Sequence, residues 1–204
     1  IFMAAVRDME ADPNRGDEIN KIRQNKEKAV TDVLAANNAF LLSKGIDVSK
    51  SKKLGEGASG IAYDIGNTRV FKLTKDKGEF QTALKLKGKP IKSIANIYDA
   101  WPFEATDFYG IILERILPFD KWPNDPTKDA IEEVVDTYNL KNILMKNGSD
   151  WDKAWTQITS SSVFRATQDK SALEKAFQAL KLVNEGLKKE GIHDFFDLHL
   201  GNLG

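Results

Sequence analysis

Leu54-Gly55-Glu56-Gly57-Ala58-Ser59-Gly60, continuing through Ile61-Ala62-Tyr63-Asp64-Ile65-Gly66-Asn67 and on to Val70-Phe71-Lys72-Leu73, is the stretch on which the fold turns. The G-x-G-x-x-G spacing alone decides little, because dinucleotide-binding proteins use it to open a helix beneath a pyrophosphate. The residues after Gly60 are more informative. Ile61, Tyr63 and Ile65 alternate with Ala62 and Asp64, Gly66-Asn67 is a two-residue hairpin signal, and residues 68–73 form a second alternating run. The pattern predicts strand, turn, strand, with no helix.

A hairpin with a glycine tip can fold over phosphates, since glycine tolerates close backbone approach. In the second strand Val70 and Lys72 share one face while Phe71 and Leu73 take the other, so the lysine stands beside an apolar neighbour on a cleft side. A cation there can neutralise phosphate charge. Taken alone, the hairpin also fits a mobile turn with a snorkelling surface lysine.

The far end of the chain adds a second motif. His193-Asp194-Phe195-Phe196-Asp197-Leu198-His199-Leu200-Gly201-Asn202-Leu203-Gly204 carries Asp197 followed five positions later by Asn202. A glycine loop and lysine first, strands and helices between, and D-x-x-x-x-N well downstream: this order resembles the protein kinase-like superfamily over residues 50–204. The resemblance implies an α+β, bilobal kinase-like fold that binds ATP and Mg2+ and moves the γ-phosphoryl group to a hydroxyl acceptor, a small molecule or a protein.

By that resemblance Gly55, Gly57 and Gly60 would cover the phosphates and Lys72 would hold them. Asp197 would be the base and Asn202 a metal ligand. Residues 76–86 look helical, and Glu79 is the acidic residue suited to steady Lys72. Residues 94–100 and 109–116 read as two further strands. The second would enter the hinge, with Leu113 at the back of the pocket and the backbone of Glu114 and Ile116 on adenine. Where the family usually has valine after the loop and alanine before the lysine, this chain has Ala62 and Val70, a volume exchange that keeps an apolar ceiling over a purine.

Departures from the family pattern bear on substrate. Phe195-Phe196-Asp197 replaces H-R-D, so the arginine that reads a phosphorylated activation loop is missing, and His199 stands where serine/threonine kinases have lysine. D-x-H-x-x-N is closer to the aminoglycoside phosphotransferase-like branch. The family's second metal-binding aspartate is not found after Asn202, and the expectation is a piece of a longer polypeptide. The alternative function is a non-catalytic kinase-like scaffold or interaction module of a larger multidomain phage or bacterial protein. A competing chemical reading of the same loop is a transition-metal site built from His193, Asp194, Asp197 and His199.

Composition frames these readings. With 204 residues and 41% hydrophobic content the chain can bury a substantial core, as one domain or two small lobes. Lys plus Arg and Asp plus Glu number 30 each, so no net field points to nucleic acid or an anionic membrane as partner. There is no cysteine, which excludes disulfides and permits a cytoplasmic place, the expected one. Three stretches follow: an N-terminal helical extension, 1–49, with Ile19, Ile22, Val30, Val33, Leu34 and Leu41 at helical spacing and a stop near Gly45; a strand-rich small lobe, 50–116; and a helical, partial large lobe, 117–204. The extension is expected to brace the small lobe. In the large lobe Trp151, Trp155 and Ile158 share a core-facing helical stripe. Ser171 with Glu174 forms a capping-box pattern ahead of Leu173, Ala176, Phe177, Leu180 and Leu187, with Gly191 as the stop.

Overall fold

The structure, a computed structural model, describes residues 16–57, 59–91, 94–116 and 126–192. Among these the chain is α+β and divides into two compact units, one holding residues 16–89 and 96–115, the other 90–95 and 116–192.

The first unit is built on a five-stranded antiparallel sheet, β1 (Lys52–Glu56), β2 (Gly60–Gly66), β3 (Arg69–Thr74), β4 (Ile97–Pro102) and β5 (Tyr109–Glu114), in the order β1-β2-β3-β5-β4. The alternation that predicts β2 and β3 is what the sheet uses. Phe71 and Leu73 are 0% and 1% exposed and join Ile61, Ile112 and Trp101 in one core, on the face covered by helices α1 (Gly16–Ala36) and α2 (Asn38–Ser43) through Val30, Val33 and Leu41. Phe71 stacks parallel to Trp101 with ring centroids 6.0 Å apart. Gly110 makes that stacking possible, because a Cβ there would meet the Trp101 ring at 2.5 Å.

The opposite face carries helix α3 (Lys77–Leu86), whose Phe80 and Ala83 bury against Ala100 and Ile111. Asp76 caps it, its carboxylate accepting the Glu79 N–H at 3.0 Å, which satisfies an otherwise unpaired first-turn donor.

Several boundaries differ from the expected ones. The hairpin turn is Asn67-Thr68, not Gly66-Asn67: both residues have positive φ, and Gly66, at φ +78, absorbs a bulge left by Ile65 while its N–H donates to the Asp64 carboxylate. The strand expected over 94–100 runs instead from Ile97 to Pro102, an edge strand in which proline's missing N–H is tolerated. The strand expected over 109–116 stops at Glu114, the last residue paired with β3, opposite Arg69. The single long N-terminal helix is broken at Asn37, whose side-chain amide donates to the Val33 carbonyl. Its end near Gly45 is as expected: Gly45 is left-handed, and the Ile46 N–H returns to the Leu41 carbonyl with both side chains buried.

The second unit, among the described residues, is helical: α4 (Pro126–Glu132), a π-helical turn (Glu133–Thr137), α5 (Leu140–Lys146), α6 (Trp151–Ser160), α7 (Ser162–Ala166) and α8 (Lys170–Lys189). Leu173, Ala176, Phe177 and Leu180 of α8 form its core with Val134, Leu140, Trp151 and Ile158, and Trp155 packs on that core. The α8 cap is Asp169, which accepts the Ala172 N–H at 2.8 Å, rather than Ser171, the expected cap, which lies within the first turn of the helix. Gly191 does terminate the helix: the Ile192 N–H bonds the Leu187 carbonyl and the Gly191 N–H the Lys188 carbonyl, the paired bonds of a left-handed glycine stop. Among the described residues no helix is long and apolar enough to cross a membrane.

Candidate functional site

The sheet unit gathers most of the expected site residues. The β2–β3 register sets Ala62 opposite Lys72, and the β3–β5 register sets Lys72 opposite Ile111 and Val70 opposite Leu113. Directly opposed residues share a face, so Ala62, Val70, Lys72 and Leu113 lie together on the side of the sheet that carries α3. Lys72 is therefore an ammonium flanked by aliphatic neighbours, and it donates a hydrogen bond to the Glu79 carboxylate of α3 in an ion pair. The two side chains remain about one-third accessible, at 34% and 33%, so the pair is formed yet still open to a ligand.

The glycine loop is positioned at the end of the same hairpin. The Gly57 N–H donates to the Gly60 carbonyl at 2.9 Å, and the Lys75 N–H donates to the Ser59 carbonyl at 2.8 Å. The three glycines are not equivalent. A Cβ on Gly60 would come within 2.4 Å of the Leu73 carbonyl oxygen, so packing of the hairpin itself demands glycine there. At Gly55 and Gly57 a Cβ would meet nothing within 4 Å, and neither has the positive φ that would call for glycine. These two glycines leave space beside the loop that no described residue fills.

Thr74, fully buried, connects the loop to the ion pair. Its hydroxyl donates to the Ser59 carbonyl at 3.4 Å and accepts the Asp76 N–H at 3.1 Å, and Asp76 in turn caps the helix that presents Glu79. Sequence reasoning missed Thr74 and the capping role of Asp76. The D-x-x-E spacing from Asp76 to Glu79, an aspartate followed three residues later by glutamate, was the signal that could have found the cap.

At the hinge position, the Glu114 N–H is committed to the Asn96 carbonyl at 2.8 Å, and its carboxylate accepts the Asn96 side-chain amide at 2.7 Å. The Glu114 N–H, expected on adenine, is thereby spent within the protein. Ile116 is exposed and belongs to the second unit.

Charge around the loop is balanced locally. Hydrogen bonds from Lys26 and then Lys53 hold the Glu56 carboxyl below the ordinary glutamate range, outweighing the effect of partial burial. Asp197 and Asn202, with His193, Asp194 and His199, lie outside the described residues, as does Ala58. Among the described residues no group of three or more His, Cys, Asp or Glu side chains could hold a metal ion. Neither the family models nor the curated proteins include a match to this chain.

Proposed function

We propose that this protein binds ATP on the α3 face of its sheet and belongs functionally with kinase-like phosphotransferases that move the γ-phosphoryl group to a hydroxyl acceptor. The observation that carries the reading is the Lys72–Glu79 ion pair, accessible on a sheet face with Ala62 and Val70 and accompanied by a loop whose Gly55 and Gly57 leave unfilled space. A paired lysine beside an open glycine turn is the donor set a polyphosphate needs: a fixed cation held by a carboxylate, and backbone that a phosphate can approach. Ala62, Val70 and Leu113 supply the apolar surface for the purine ring.

In the transfer itself the acceptor oxygen bonds to the γ-phosphorus as the bond to the β–γ bridging oxygen breaks, ADP leaves, and the acceptor's proton passes to Asp197. Asn202 would hold Mg2+, which supplies neutralising charge at the phosphates when bound. Both assignments rest on the D-x-H-x-x-N motif.

Calorimetric titration with ATP and magnesium tests the nucleotide assignment. Lys72→Ala is expected to weaken binding roughly tenfold or more, the loss of one charge-assisted contact. Equal affinities in the two proteins would remove the nucleotide from this face.

A further inference from the structure

The glycine loop is held by a side chain that is distant in sequence. Lys26 of α1 donates through Nζ to the Gly57 carbonyl at 2.7 Å and pairs with Glu56 Oε1 at 2.8 Å, while Lys53 takes Glu56 Oε2 at 2.7 Å. Lys26 lies one helical turn before Val30, which is buried in the sheet core, so the ammonium is presented from an anchored element rather than from a floppy one. Its side chain is 19% exposed. Between α1 and the base of the loop lies a cavity of about 350 Å³, lined by Lys26, Ala29, Val30, Ser59, Gly60 and Phe108. No apolar side chain among the described residues fills that gap, and Lys26 lines it.

Two physical consequences meet at this contact. A loop whose glycines at 55 and 57 are free of packing constraint has many conformations, and tying one carbonyl to a helix removes some of them before any ligand arrives. Glu56 also puts a negative charge within the segment that would meet a polyanion, and two lysines neutralise it there.

We propose that Lys26 is a positioning residue for the glycine loop, fixing the Gly57 carbonyl and neutralising Glu56 so that the loop is ready to receive the phosphates of a nucleoside triphosphate. The assignment rests on the phosphate-binding reading of the loop. It makes the N-terminal helix part of the binding apparatus, although no residue of that helix need touch the ligand.

The test pairs a measurement without nucleotide and one with it, on Lys26→Met, Lys26→Arg and the exposed-lysine control Lys28→Met. In amide hydrogen exchange of the free protein, Lys26→Met is expected to speed exchange across residues 56–60 by about fivefold or more, with β3 unchanged and Lys26→Arg close to wild type. In calorimetry with ATP and magnesium, Lys26→Met should bind several-fold more weakly and Lys26→Arg should recover most of the affinity, while Lys28→Met behaves as wild type. Unchanged exchange in Lys26→Met overturns the proposal whatever the nucleotide does. Faster exchange with unchanged ATP affinity overturns it too, and if Lys72→Ala still weakens binding the nucleotide assignment survives that failure. Absence of ATP binding in every protein, wild type included, removes both readings together.

Discussion

The two faces of the sheet are built from alternate residues of one strand and have opposite characters. On the face under α1 and α2, Phe71 and Leu73 are wholly enclosed in an apolar cluster with Trp101 and Ile112, and the Lys44 ammonium lies over the Trp101 ring. On the face under α3, Lys72 sits between them in sequence but keeps a third of its side chain accessible and spends its charge on Glu79. The first face makes the hairpin rigid, and the second uses that rigidity to hold a cation and a loop in fixed relation. On the proposed function, stability and binding fall to neighbouring residues of a single strand, which mutagenesis can separate.

Phe71→Ala should have the largest effect. Removing a fully buried ring that stacks on Trp101 is expected to lower stability by about 3–5 kcal/mol, read as a fall in the urea midpoint at unchanged slope. Lys72→Ala, one residue along, should cost under about 1 kcal/mol, because a partly exposed ion pair contributes little. Equal losses from both would erase the distinction between the faces.

The glycine loop sharpens the same division. Gly60→Ala forces a Cβ against the Leu73 carbonyl and should destabilise by about 1–3 kcal/mol. Gly57→Ala meets open space and should stay within about 0.5 kcal/mol of wild type in the same denaturation experiment. A large stability loss at Gly57 would show that its openness is filled in solution.

A small effect is also expected on the face under α1 and α2, where Asp99 is contacted by Lys44 at 2.5 Å and Lys87 at 2.6 Å. Burial alone would raise the Asp99 pKa, but the hydrogen bonds from the two lysines outweigh it and hold the carboxyl below its usual range. A depressed folded-state pKa means stabilisation that is fully present above the unfolded value, about pH 4, and is lost as pH falls through the lower folded one. Thermal unfolding of Asp99→Asn should therefore differ from wild type by a few tenths to about 1 kcal/mol at pH 7, and by less near pH 2. A difference that grew on acidification would reverse the assigned sign.

Much of the sheet was legible because alternation in residues 60–73 leaves a strand little freedom over which side chains it buries. The helix carrying Glu79 was also legible, expected over residues 76–86 and found over Lys77–Leu86, although its Asp76 cap was not. What escaped was set by tertiary context. β1 is exposed throughout and shows no alternation, as an edge strand paired on one side needs none. The turn slipped by one residue because a bulge at Ile65 cannot be foreseen from composition. Lys26 was invisible as a partner of Gly57: thirty-one residues separate them, and only the docking of α1 through Val30 and Val33 brings the ammonium to the loop.

Thr74 joins the glycine loop to the start of the helix that carries Glu79. Its one hydroxyl answers to Ser59 on one side and to Asp76 on the other, so movement at the hairpin tip is transmitted as a tug on the start of the helix below. Lifting the tip would loosen the grip on Asp76, fray the turn behind it and let Glu79 swing away from Lys72. One buried hydroxyl is thus shared between the loop and the helix that presents the partner of Lys72.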